Sequence, residues 1–126
     1  MAYGDVGGAV TELVITCKTP GSGTISIAKG DAVKLTGAYE VNNATDAEDA
    51  VFGQALAAAD DNDVALPVKV RGICVFDYDG TAPAVDGSKG ILASAADGKV
   101  KAPATGNGVG LNVKVDAAAS QVHVLL

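Results

Sequence analysis

The sequence predicts an all-β fold, a small β-sandwich or β-barrel with a flexible N-terminal arm. Three observations carry that reading. Apolar and polar residues alternate in short runs at residues 13–17, 64–76 and 109–126. Gly-, Pro- and Asp/Asn-rich turn signals separate these runs at the spacing of a sandwich or barrel. The order of strands and turns also recurs at an offset of 58 residues, with Val33 mapping to Ile91, Val51 to Val109, Val64 to Val122 and Leu66 to Val124. The chain is therefore expected to consist of two pseudo-repeated halves. An Ala-, Gly- and Val-rich sequence also aligns with itself by composition, so the structure must decide.

Residues 1–10 contain Gly4, Gly7 and Gly8 and few large apolar groups, which is the composition of an arm. Residues 11–126 are expected to form a single β domain. From Glu12 to Thr19, Leu13, Ile15 and Cys17 share one face and Val14 and Thr16 the other, a strand pattern. Thr19-Pro20-Gly21-Ser22-Gly23 is a turn, because Pro fixes φ and glycine tolerates positive φ. Thr24–Ala28, with Ile25 and Ile27 alternating, is a second predicted strand. Ala32–Thr36 is a third, and Tyr39–Val41 a short fourth.

The Ala and Glu content of residues 44–61, seven alanines with Glu48, favours helix by propensity. Phe52-Gly53 and the Asp60-Asp61-Asn62-Asp63 turn argue against a helix throughout. If the repeat holds, 52–57 corresponds to the alternating 110–115, which points to strand for 51–57; a short helix near 45–50 fits either case. Val64–Phe76 is the longest β run. Its apolar phase is read as shifting at Gly72, from Val68 and Val70 to Ile73 and Val75, the signature of a bulge or bend. Residues 77–89 form a polar loop. Gly90–Ala93, Gly98–Ala102, Val109–Asp116 and Gln121–Leu126 complete the strands, and the C-terminus is expected to be tied into a sheet.

Hydrophobic residues make up 48% of the 126 residues, but aromatics only 4%, so most apolar side chains are small and bury little area each. A core of this kind gains from a partner surface or an oligomer. A formal net charge of −6 argues against a nucleic-acid partner. There is no basic, Ser-rich or apolar leader and no apolar run of membrane-spanning length, so neither a targeting segment nor a membrane partner is expected. Cys17 and Cys74 are expected to be small buried thiols, although their near-equivalent places in the two halves also leave a disulfide open.

The residues that bear chemistry do not assemble into a signature. His123 lies between Val122 and Val124, on the opposite face of its strand, with no second histidine. Asp60-Asp61-Asn62-Asp63 supplies oxygen ligands but not the Gly and Glu spacing of a calcium loop. Asp77 and Asp79 would share a strand face as paired acids, but they open a loop. Gly106-Asn107-Gly108-Val109-Gly110 has no helix after it to complete a phosphate cradle, and is read as a hairpin turn. No enzyme activity, metal or cofactor is expected.

Three stretches together carry a resemblance. One is Val51-Phe52-Gly53-Gln54-Ala55-Leu56-Ala57, running through the Asp60–Asp63 turn into Val64-Ala65-Leu66-Pro67-Val68-Lys69-Val70-Arg71-Gly72. Another is Gly90-Ile91-Leu92-Ala93-Ser94 leading to Gly98-Lys99-Val100. The third is Gly106-Asn107-Gly108-Val109-Gly110-Leu111 with the closing Val122-His123-Val124-Leu125-Leu126. In composition and order, residues 24–126 resemble the small capsid decoration (cement) proteins of tailed bacteriophages. The resemblance implies a virion structural protein, a homotrimer or lone subunit, that binds the outside of an assembled shell and clasps neighbouring subunits of the major capsid protein. No catalytic residue carries over. The arm lies outside the match, and its Tyr3, Gly4, Val6, Gly7 and Gly8 are the expected partner-binding residues, ordering on the partner or adding a strand to a sheet edge. A second reading is a glycan- or surface-binding β module of a phage tail or bacterial adhesin. The few aromatics, Tyr3, Tyr39, Tyr78, Phe52 and Phe76, weigh against sugar stacking.

Overall fold

A computed structural model describes residues 12–45, 47–85 and 89–126. The expected arm residues Tyr3, Gly4, Val6, Gly7 and Gly8 lie outside them. Ten strands follow in order: β1 Leu13–Lys18, β2 Ala32–Gly37, β3 Glu40–Asn43, β4 Gly53–Ala55, β5 Ala65–Arg71, β6 Ile73–Asp77, β7 Leu92–Ala93, β8 Val100–Lys101, β9 Leu111–Asp116 and β10 Gln121–Leu125. No described residue is helical, so the fold is all-β as the alternation predicts.

The first five strands close into a barrel in the order β1-β3-β2-β4-β5. The last five repeat that order. β6, β10 and β9 form one sheet and β7 and β8 another. Two bridges join them into a ring, Tyr78 with Val100 and Ile91 with Val109. The pairings correspond one by one. Cys17 opposes Leu66 in β1 and β5, and Cys74 opposes Val124 in β6 and β10. Lys18 meets Glu40 in parallel, as Tyr78 meets Val100. Val33 pairs with Gly53, as Ile91 pairs with Val109. The two predicted halves are thus two barrels of one topology. Three of the four predicted equivalences hold in kind, with each member buried or half-buried at matching places. Val51 and Val109 do not correspond, because Val51 packs into the second core.

Each barrel encloses its own cluster. Cys17, Ile25, Ile27, Val33, Val41, Leu66, Val68 and Val70 fill the first. Cys74, Phe76, Ile91, Val100, Val122 and Val124 fill the second, together with Ala32, Ala44 and Val51 from the first half. The barrels are also tied by backbone bonds, Ala32 N–H to Gly98 O (2.9 Å), Glu48 N–H to Ala93 O (3.0 Å) and Ala93 N–H to Asp49 O (2.9 Å). The chain end is held in place, with Leu126 N–H donating to Gly72 O at 3.0 Å.

The local structure departs from the sequence reading in four places. Thr24–Ala28 is not a strand. Ile25 and Ile27 are buried as predicted, but Ile27 exchanges both bonds with Ala59 alone, and the Ser26 carbonyl accepts from Asn43 Nδ2, so the backbone is satisfied without a ladder. No described residue near 45–50 is helical. Glu48 stands at φ 73, a left-handed conformation incompatible with a right-handed helix, and β4 falls inside the predicted 51–57 strand. Gly106–Gly110 is not a hairpin turn, because the strands it connects, β8 and β9, are not neighbours. Gly72 does break the long run, at φ 115, and there the chain passes from one barrel to the next. The inward phase, however, does not shift: Leu66, Val68, Val70, Cys74 and Phe76 all point inward, which leaves Ile73 and Val75 outside.

Candidate interaction surface

The outer face of β6, β10 and β9 is built in cross-strand rows. Ile73 opposes Leu125, which opposes Leu111. Val75 opposes His123, which opposes Lys114, and Asp77 opposes Gln121, which opposes Asp116. A register shift between His123 and Val124 leaves Val113 outward as well. The exposures are 37% for Ile73, 36% for Val75, 43% for Leu111, 48% for Val113 and 42% for Leu125. An apolar strip therefore grades through His123 and Lys114 into a carboxylate edge.

This face inverts the sequence pattern. The alternation in Leu111–Asp116 suggests Leu111 and Val113 inside and Asn112 outside. The structure buries Asn112 to 3% exposure, where its Nδ2 donates to the Ala84 and Gly90 carbonyls, both at 3.0 Å. The amide holds the Ala84 and Gly90 carbonyls, and the two apolar side chains face outward. The first barrel provides an internal comparison. By strand pairing, Thr16, Lys18, Ala65 and Pro67 stand where Ile73, Val75, His123 and Leu125 stand in the second. Thr16, Lys18 and Pro67 on one copy thus correspond to the branched aliphatic Ile73, Val75 and Leu125 on the other.

Two other surfaces stand out. Ile15, Leu35, Gly37, Ala38, Tyr39 and Phe52 line an apolar groove on the first barrel, with Leu35 51% and Tyr39 68% exposed. Between the barrels, Lys29, Asp31, Asp77, Asp97, Lys99 and Gln121 line a polar cleft. Burial, opposed in part by the bond from the Ala28 N–H, and the nearby Asp97 and Asp77 charges raise the Asp31 pKa.

The other sequence candidates are placed as follows. His123 is half-buried within the apolar face. Asp77 lines the cleft and Asp79 does not, so the two acids do not work one space. Asp61–Asp63 is a turn, fixed by Thr19 Oγ1 donating to Asp61 O (2.7 Å) and Asn62 Nδ2 donating to Pro20 O (2.9 Å). No three His, Cys, Asp or Glu side chains among the described residues are grouped so as to hold a metal ion. Cys17 and Cys74 are free and buried, one in each core. No described helix is long and apolar enough to cross a membrane. No protein-family model matches the chain, and no similar curated protein is found.

The sequence does signal this face, in Ile73, Val75, Leu111, Val113 and Leu125, but as apolar members of strands. What hides their role is the assumption that the apolar side of an alternating strand is the buried side.

Proposed function

We propose that the chain is a capsid decoration protein that binds the outside of a tailed-phage shell and holds neighbouring major capsid subunits together without turnover. The supporting observation is the inverted face. Five large apolar side chains are at least a third exposed on one sheet, while an asparagine occupies the interior position among them. A contiguous apolar patch of this kind marks a protein–protein contact, and a local rule broken in this way is expected at functional positions. Two welded barrels give a rigid body, which loses little freedom on docking. Many copies on one shell sum weak contacts, and a ligand of the assembled state stabilises that state by mass action. Homotrimer assembly and residence on the virion belong to the same proposal.

The test is to mix the protein with undecorated shells and follow co-sedimentation and shell melting. The chain is expected to co-sediment and to raise the melting temperature. The double variant Leu111→Asp with Val113→Asp should fold as before, because both sites are exposed, and should lose binding. Equal binding by that variant, or shells that melt alike with and without the protein, sinks the proposal.

A further inference from the structure

We infer that the side of β1 at Val14 and Thr16 that no described residue pairs, together with the groove beside it, receives an extended segment of a partner polypeptide, with one aliphatic or aromatic side chain seated among Leu35, Phe52 and Tyr39. The hydrogen-bonding sense of β1 follows from its flanks. Thr19 N–H donates to Val64 O at 3.0 Å, on the β5 side, and Lys18 N–H donates to Tyr39 O at 2.9 Å, on the other. Thr16 faces Pro67 on β5, and proline offers no N–H. Odd positions of β1 therefore bond to β5, while the N–H and C=O groups of Val14 and Thr16 point away from it. Among the described residues, Lys18 with Glu40 is the one pairing on that far side.

The second barrel shows the same edge when covered. By strand pairing, Ile73 and Val75 are the counterparts of Thr16 and Lys18. The Ile73 carbonyl accepts from Lys69 Nζ at 2.6 Å and the Val75 carbonyl from Gln54 Nε2 at 2.7 Å. Side chains of the first barrel thus cap the edge of the second, and the described residues supply no such cap to Thr16.

The groove of Ile15, Leu35, Gly37, Ala38, Tyr39 and Phe52 lies along that edge. Leu13, 49% exposed, continues the apolar surface on the Ile15 face of the strand. Tyr39 is held outward by a left-handed turn at φ 53. Unpaired backbone groups beside an apolar slot specify an extended peptide: the main chain completes the ladder and alternate side chains fill the slot. This surface belongs to the first barrel and the proposed shell face to the second, so the inference stands apart from that proposal.

The probe is a short synthetic peptide that alternates Val with Thr and carries one central Phe, titrated into the full chain. Hydrogen exchange is expected to slow at the Val14 and Thr16 amides. Thr16→Pro removes only the outward N–H, which an edge strand tolerates, and should weaken peptide binding about tenfold or more. Leu35→Glu, on the groove wall, should do the same and serves where the proline variant fails to fold. The inference is overturned if the peptide protects neither amide, if folded variants bind like the parent chain, or if the free protein already protects Thr16 as strongly as β5.

Discussion

Lys69 reaches Glu12 with Nζ 2.8 Å from Oε1, and the same Nζ donates to the Ile73 carbonyl at 2.6 Å. One cation thus ties the start of the first barrel to the first strand of the second, across the Gly72 break. Its two contacts can be weighed separately. The Glu12 side chain is 46% exposed, and the bond to the Ile73 carbonyl also lies at the surface, so neither contact is shielded from water. Glu12→Gln is expected to cost about 0–1 kcal/mol, and Lys69→Met about 0.5–1.5 kcal/mol more, because it removes the carbonyl bond as well as the ion pair. Denaturant midpoints of the two variants check this; equal losses would mean the carbonyl bond adds nothing.

The junction cleft sets an unusual pH dependence. Burial first, and then the Asp97 and Asp77 charges, raise the Asp31 pKa, against the lowering effect of the Ala28 N–H. The folded state therefore holds that proton more tightly than the unfolded chain. The resulting stabilisation is full below the ordinary carboxylate pKa of about 3.9 and is lost as pH rises through the raised value. Asp31→Asn, which keeps an oxygen acceptor for Ala28, should melt higher than the parent at pH 7, with the gap closing toward about pH 4. Glu48 works in the opposite sense. Its bond to Lys101 lowers its pKa, so its contribution is present above the ordinary glutamate value and fades as pH falls through the lowered one. A gap in the Asp31→Asn melting curves that stays constant from pH 7 to 4 contradicts the assignment.

Strand existence was legible in the sequence; the facing of several strands was not. Alternation identified β1, β2, β5, β9 and β10, because period-two patterning follows from the pleat. The repeat was legible because the same strand order needs the same spacing. Two features were hidden. Ile25 and Ile27 look like strand residues, yet their segment is held by Ala59 and by the Asn43 side chain, contacts that arise only in three dimensions. Ile73, Val75, Leu111 and Val113 look inward by hydrophobicity, whereas the registers fixed by Cys74, Phe76 and Asn112 turn them outward. The apolar face was thus visible as composition and invisible as surface.

Closure of the second barrel depends on close backbone approach at Gly108. A Cβ there would lie 2.4 Å from the Ile91 oxygen and 2.6 Å from its carbonyl carbon, while one at Gly106 would meet nothing within 4 Å. Gly106 carries a different constraint, φ +69. Gly106→Ala is expected to cost about 1–2 kcal/mol through backbone strain alone. Gly108→Ala should cost about 1–3 kcal/mol or more and, unlike its neighbour, should speed amide exchange at Ile91 and Val109, whose mutual bonds join β7 to β9. Similar exchange at these two amides in both variants would show that the ring does not depend on this approach.

The two cysteines make each barrel report its own opening. Cys17 lies in the first core and Cys74 in the second. Burial raises both thiol pKa values, that of Cys74 to about 11, with opposing smaller effects from Lys69 and Glu12. At pH 8 the closed protein therefore offers little thiolate, and the thiolate is the species that reacts. Labelling must proceed through an opened state, where burial is relieved and each thiol returns to about pKa 8.5. The native labelling rate then reads the opening free energy of each barrel. The second ring is completed through the bridges at Ile91–Val109 and Tyr78–Val100 and has two-residue strands in β7 and β8, whereas the first joins β2 to β4 and β4 to β5 by ladders. Opening should be easier in the second. With Cys17→Ala and Cys74→Ala variants, Cys74 is expected to react faster than Cys17 under native conditions, and the two rates should converge in denaturant. Faster labelling of Cys17 would reverse the assigned order of opening, and equal native rates would mean that the two barrels unfold as one unit.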